Sequence, residues 1–192
     1  MISDPNEPKP QTTTEVVAAI FWKQFSSKNN KKLLKKLLKG ENKQIKLRKE
    51  IELKLLSIVA KLFDINAVFG NTTKCQAIKF AYLVYLAKEF QDLYNVYDEK
   101  FYRWIQIRFE FYSKAMNTSH PNGPPYLIGK AFSELMESPK SALLSYEGTL
   151  WFTRESNAFK LKEIFEQYEI VIDDNTKRAM KEHPDFIENL FL

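Results

Sequence analysis

The chain has 192 residues, of which 44% are hydrophobic and 14% aromatic, and it contains only 5 glycines. This composition excludes a disordered polymer and does not suit a sheet protein with many tight turns, so we expect one helical domain. Its one cysteine, Cys75, excludes an internal disulfide and a zinc site built from cysteines.

The sequence also speaks against export and against membrane insertion. The N-terminal residues lack the basic and apolar regions of a signal peptide. The longest nearly apolar run has 11 residues, at 77–87, whereas a membrane-spanning helix needs about 20. We therefore expect a cytoplasmic protein.

Positive charge is concentrated in the first third of the chain. Residues 1–64 hold 14 Lys and Arg against 7 Asp and Glu, whereas residues 65–192 hold 15 against 17. Within 23–54 the count is 12 against 3. Such a polarised chain favours polyanionic partners, with nucleic acid ahead of an anionic membrane or an acidic protein.

The first elements are predicted from capping and turn residues. Residues 1–11 carry three prolines and no periodic pattern, which predicts a flexible tail. Thr12 and Glu15 have the spacing of a capping box, so a first helix should run over about 13–26. A second helix is expected over about 30–39, ended by Gly40.

The second predicted helix separates its charged residues from its apolar ones. At 100° per residue, four leucines fall on one arc and five lysines on the opposite arc. The leucines are Leu33, Leu34, Leu37 and Leu38. The lysines are Lys31, Lys32, Lys35, Lys36 and Lys39.

The middle of the chain predicts three longer helices. The third, over about 43–63, should bury a seam that includes Leu47 and Leu55, and a break follows at 64–73. The fourth, over about 73–94, is apolar nearly all round, and the fifth, over about 98–116, should begin with Asp98 as its N-cap. These last two helices form the predicted centre of a single all-α bundle of about six to eight helices, spanning 12–192.

The C-terminal part, 125–192, is predicted to be less regular. Residues 117–125 predict a loop, followed by helices over about 125–137 and 139–153. Ser138 and Pro139 suit the start of the second of these, and Gly148 weakens it. A helix is expected over about 157–169, then an extended piece at 170–172 and an amphipathic turn at 184–192. The pattern leaves open whether 145–172 holds a strand pair.

The basic helices carry the strongest functional signal. Lysines on one helix face neutralise phosphates without reading the base sequence, and such binding weakens as salt rises. The predicted nucleic-acid contacts are Lys31, Lys32, Lys35, Lys36, Lys39, Lys43, Lys46, Arg48, Lys49 and Arg108. We therefore expect a non-catalytic subunit that binds a DNA or RNA backbone, together with other protein subunits, as in a ribonucleoprotein complex.

Arg108 lies outside the basic third, on the apolar arc of the fifth predicted helix with Phe101 and Trp104. A charge in such surroundings is costly unless it is paired. Two interpretations follow: an ion pair with an acid of another helix, or an arginine directed into a groove toward a phosphate or a partner's carboxylate.

Other interpretations of the same features stay open. The lysine arc could be an ordinary solvated surface, or it could bind an anionic membrane, which the short helix does not favour. The leucines of 33–38 or the apolar C-terminus could instead bind a partner, as in an adaptor protein. The C-terminal apolar residues are Phe186, Ile187, Leu190, Phe191 and Leu192. Twelve aromatic residues within 80–112 predict a packed core, in which an exposed ring should belong to a tyrosine.

No catalytic or metal pattern is complete. Neither His120 nor His183 has a ligand-like spacing, and the Asp-Asp-Asn segment at 173–175 lacks the glycine and alternation of a calcium loop. We expect no enzyme activity, no metal and no cofactor.

Overall fold

The computed structural model describes residues 10–25, 28–182 and Pro184, and helices make up about 80% of this part of the chain. The predicted all-α class is confirmed. No helix among the described residues combines the length and the apolar character needed to cross a membrane. The predicted amphipathic turn at 184–192 lies outside the described residues, except for Pro184.

The elements follow one another in a simple order. They are β1 (Gln11–Thr12), α1 (Thr13–Phe25), α2 (Lys28–Leu37), α3 (Lys43–Phe69), α4 (Thr73–Tyr94), α5 (Asp98–Asn117), α6 (Gly123–Leu135), α7 (Ala142–Glu155), α8 (Ala158–Glu166), β2 (Ile170–Val171) and α9 (Asp174–Glu182).

The predicted capping box starts α1. The Glu15 carboxylate accepts a hydrogen bond from the Thr12 amide at 2.9 Å, and the Glu15 amide donates to Thr12 Oγ1 at 3.2 Å. The predicted tail extended one residue too far, because Gln11 belongs to β1 and its amide donates to Glu169 O at 2.9 Å. Residues 1–9 of that tail lie outside the described residues.

A two-residue parallel pairing joins β1 to β2, with Gln11 opposite Ile170 and Thr12 opposite Val171. The extended piece expected near 170 is therefore confirmed. Of the region 145–172, only β2 is a strand, and its partner lies near the start of the chain.

The third helix is longer than predicted. Asp64 was read as the beginning of a break, but α3 continues to Phe69 and ends at Gly70, which has a φ of +59°. Asp64 is part of α3 and is buried in the protein. Its carboxylate is tolerated there because it accepts hydrogen bonds from Ser156 Oγ and the Asn157 amide, each at 2.8 Å. These partners come from the segment between α7 and α8, which the sequence of α3 alone does not reveal.

Two apolar clusters form the core, and α3 contributes to both. One cluster gathers residues of α1, α3, α4, α5 and α8, and the other gathers residues of α2, α3, α5, α6 and α7. Leu55 and Ile58 of α3 belong to the first cluster, and Leu53 and Leu56 belong to the second. Because α3 is buried on both sides, the basic N-terminal third is attached directly to the core.

Helices α6 and α7 pack closely, and Gly148 makes this possible. A Cβ at Gly148 would lie 2.7 Å from the Cβ of Phe132. The glycine was expected to weaken this helix, but α7 runs through it to Glu155. The side chain of Ser141, rather than Ser138 with Pro139, caps α7 by accepting from the Leu144 amide at 3.2 Å.

The remaining differences are the starts of two helices and one helix that was not predicted. Tyr97, and not Asp98, is the N-cap of α5, without a side-chain hydrogen bond, and α6 starts within the predicted loop at Gly123. Helix α9 was not predicted; Asp173 opens it by accepting from the Thr176 amide at 2.8 Å. The acidic residues near 173 therefore include a helix cap.

Candidate nucleic-acid interface

Seven of the predicted contact residues form what we call the lysine face, on α2, the turn after it and the first turn of α3. All seven side chains are exposed. They are Lys31, Lys32, Lys35, Lys36, Lys39, Lys43 and Lys46. On the other side of α2, Leu37 and Leu38 are buried, and Leu33 and Leu34 are half-buried against the second apolar cluster.

The lysines of this face form no ion pair within the described part of the chain. None of the eight ion pairs found among these residues includes any of its seven ammonium groups. Lys31 with Lys35, and Lys32 with Lys36, stand one helical turn apart, where like charges repel. The face therefore concentrates solvated positive charge that an external polyanion can neutralise.

The start of α3 exposes apolar side chains among its lysines. Leu47 was predicted to begin the buried seam, but 50% of it is exposed, and Ile45 is 43% exposed. The first buried residue of α3 is Lys49, so the helix meets the core later than its apolar pattern indicates. Leu55 is buried as predicted, and Ile58 and Leu62 farther along α3 are buried as well.

Lys49 must be removed from the predicted contacts. Its side chain is 1% exposed, and its ammonium lies 2.6 Å from Glu147 Oε2, 3.2 Å from Glu41 Oε1 and 2.9 Å from Leu37 O. The group is enclosed by two carboxylates and a carbonyl, so it cannot reach a phosphate in this structure. Its role is to hold the start of α3 against α7.

Arg48 is only partly available. Its guanidinium donates to Glu137 Oε1 at 3.0 Å and to Leu135 O at 2.8 Å, and 43% of the side chain is exposed. The hydrogen bond from Arg48 lowers the pKa of Glu137, and the same bond raises the pKa of Arg48. Arg48 therefore borders the lysine face with its charge already partnered.

Arg108 forms the buried ion pair that was one of its two predicted interpretations. Its guanidinium donates to both carboxylate oxygens of Glu52 on α3, with Nε at 3.2 Å from Oε2. The arginine side chain is 17% exposed and that of Glu52 is 7% exposed. Arg108 is thus a structural contact between α5 and α3, and it is separate from the lysine face.

The aromatic residues of 80–112 lie mainly in or against the core, as predicted. Phe90, Phe101 and Tyr112 are buried, and the exposed members of the set are Tyr85 and Tyr97. Exposure of tyrosines alone agrees with the expectation from their hydroxyl groups. The aromatic set therefore offers no continuous stacking surface for bases.

Cys75 and His120, whose side chains could take part in catalysis, each contact neighbouring residues. Cys75 is buried, which raises the pKa of its thiol, and its Sγ lies 3.4 Å from Asn66 Oδ1. His120 stacks on Tyr126 and accepts from the Asn122 amide at 3.1 Å, and His183 lies outside the described residues. Over the described ranges, no three metal-binding side chains come together.

Comparisons of the chain with protein families, with curated proteins and with solved structures find no match.

Proposed function

We propose that this protein is a non-catalytic subunit that binds nucleic acid through the lysine face, by contacts to the phosphate backbone. One observation supports this most: seven exposed ammonium groups lie within residues 31–46, and none of them has a carboxylate partner among the described residues. Lysines contact phosphates as point charges, so the binding would not depend on base sequence.

The burial of the leucines favours this proposal over the adaptor hypothesis. Leu37 and Leu38 belong to the core, so the leucine arc of 33–38 is occupied by the protein itself. A partner could still contact the exposed Ile45 and Leu47, which lie between and beside lysines. The apolar C-terminal residues of the adaptor hypothesis lie outside the described residues.

The proposal is tested by fluorescence anisotropy with labelled single- and double-stranded oligonucleotides over a range of salt concentrations. If all seven lysines meet phosphates, the logarithm of the binding constant should fall against log salt with a slope of about −5 for a single strand and about −6 for B-DNA. Anionic vesicles, titrated in parallel, test the membrane alternative.

A pair of charge reversals assigns the binding to the lysine face. Lys32→Glu with Lys35→Glu should weaken binding and make the salt slope shallower by about 2. Lys88→Glu with Lys181→Glu is the matched control, because it changes the net charge equally at exposed positions on α4 and α9. Equal loss in both double variants, or no binding at low salt, would contradict the proposal.

A further inference from the structure

A cavity of about 210 Å³ lies where the ends of α1 and α7 meet the starts of α2 and α8, beside α3. Its described lining contains four cationic side chains and one carboxylate, Glu155. The cations are Lys23, Lys61, Arg154 and Lys160. They come from four different helices, and none belongs to the lysine face.

The carboxylate in the cavity wall is already engaged. Glu155 is 4% exposed, and its Oε1 accepts from the Asn30 side-chain amide. The other end of that amide, Asn30 Oδ1, accepts from Arg154 Nε at 2.9 Å. Arg154 carries five N–H donors, so this contact leaves most of its guanidinium for another acceptor.

Lys61 is held in place at the cavity wall. Its ammonium donates to Asp64 Oδ2 at 3.1 Å and to the backbone carbonyl of Glu155. Asp64 is itself fixed by Ser156 and Asn157. An ammonium has three donors, and among the described residues Lys61 has these two acceptors, so one donor remains for a ligand.

The start of α8 adds to the positive potential. Asn157 lines the cavity and caps α8 by accepting from the Lys160 amide at 3.0 Å. The first amides of a helix carry partial positive charge and bind anions. Ile20, Leu161 and Ile164 supply the apolar part of the wall.

We infer that this cavity binds a small phosphate monoester. The phosphate would lie against Lys61, Arg154 and Lys160. Hydrogen bonds from guanidinium and ammonium groups to phosphate are stronger than those between neutral groups, because both partners are charged. The apolar wall would contact the organic part of the molecule. The cavity is smaller than the roughly 300–1,000 Å³ of sites for drug-sized ligands, which favours a compact ligand.

Thermal unfolding with inorganic phosphate and with adenosine monophosphate tests this site, with sodium chloride at the same ionic strength as reference. At a ligand concentration of about 100 times Kd, the melting temperature should rise by roughly 5–10 °C above the chloride reference. An equal melting temperature in phosphate, adenosine monophosphate and chloride would overturn the inference.

Variants assign the effect to the cavity. Arg154→Gln with Lys160→Gln should weaken binding about 10-fold or more, because each removes a charged contact to phosphate. Lys162→Gln with Arg178→Gln is the matched control, since it removes one lysine and one arginine at exposed positions outside the cavity lining.

The single variant Lys160→Gln provides a second test that does not depend on the double variant folding. Its side chain is exposed and has no hydrogen bond or ion pair among the described residues, so the fold should persist while phosphate binding weakens. Unchanged binding in Lys160→Gln and in the cavity double variant would refute the site. Loss of oligonucleotide binding in the lysine-face variants would leave this result unaffected, because the two sites share no residue.

Discussion

Arg108 and Lys49 are cations that the helical packing encloses, and each depends on carboxylates contributed from outside its own helix. Removing one member of a buried pair costs more than the pair contributes, because the other charge is left without a partner in a poorly solvated place. For both residues the stability of the fold, and not the binding of a ligand, is the property that a mutation should change.

Arg108→Ala should lower the free energy of unfolding by about 3–5 kcal/mol, because it leaves Glu52 buried without a counter-charge. Arg103→Ala, on the exposed side of the same helix, should change it by less than about 0.5 kcal/mol. Urea unfolding of the two variants measures the difference. Equal midpoints would contradict the ion pair.

Lys79 predicts a pH-dependent stability. Its side chain is 2% exposed, and burial lowers its pKa from 10.5 to about 8. Below pH 8 the folded protein holds Lys79 as a buried ammonium, so the full free-energy cost of burying this charge lowers its stability. Between pH 8 and 10.5 the folded state has released a proton that the unfolded state still binds, so this penalty disappears as the pH rises.

The comparison that isolates this effect is with Lys79→Met, which keeps the length and apolar stem of the side chain. Between pH 7 and pH 10.5 the stability gap between the original protein and the variant should change by roughly 2–3 kcal/mol in favour of the original protein. Urea unfolding at both pH values gives the gap. A gap that does not change with pH would contradict the assignment to Lys79.

Single residues show what the sequence can predict and what it cannot. A helical wheel places Arg108 on the apolar side, because that depends only on its own helix. Its partner Glu52 lies on α3, and no local pattern indicates it. Lys49 has charged neighbours on both sides in the sequence, so counting charges placed it among the predicted nucleic-acid contacts, whereas in the fold it pairs with Glu147 of α7.

At the scale of elements, helix α2 carries a conflict between its own stability and the proposed function. Lys32 stands three and four residues before Lys35 and Lys36, and these like charges repel. A surface chosen only for helix stability would place acids among them. Such repulsion between lysines is expected in a helix whose lysines bind a polyanion.

Lys32→Glu should therefore stabilise the protein while it weakens nucleic-acid binding. The new carboxylate would precede two lysines at the favourable spacing, and we expect a gain of about 0.5–1 kcal/mol at low salt. Thermal unfolding measures the gain, which should shrink as salt screens the charges. A loss of stability would contradict this account of α2, and an unchanged oligonucleotide affinity would contradict the interface.

The positions of the elements were largely predictable, and their ends were less so. The capping box of α1, the separated faces of α2 and the apolar run of α4 are strong enough to define these helices, and α4 has the predicted bounds. The error at the end of α3 has a tertiary cause, because Asp64 continues the helix where a distant segment hydrogen-bonds it. Gly148 was expected to weaken α7, and its tertiary role is to leave the space that Phe132 occupies.

For the whole molecule, the charge polarity is a property of the sequence, but the cavity between α1, α3, α7 and α8 is a property of the fold. The lysine face could be predicted because its members are neighbours along the chain. Lys23, Lys61 and Arg154 are far apart in sequence, and Lys160 lies six positions after Arg154, so a single sequence gives no sign that all four line one cavity. For the same reason, the helices could be predicted from neighbouring residues, but their packing around α3 could not, because it depends on contacts between distant parts of the chain.

The pairing of β1 with β2 gives the molecule an order of assembly during translation. Gln11 leaves the ribosome before its partner Ile170, which follows 159 positions later in the chain. At roughly 5–20 residues per second, the wait is roughly 10–30 s. In that interval α1 can already pack on α4, while β1 keeps an open edge. This joint is therefore among the last to close, and a ribosome paused before residue 170 should hold a nascent chain in which β1 has no partner strand and α9 has not yet been made.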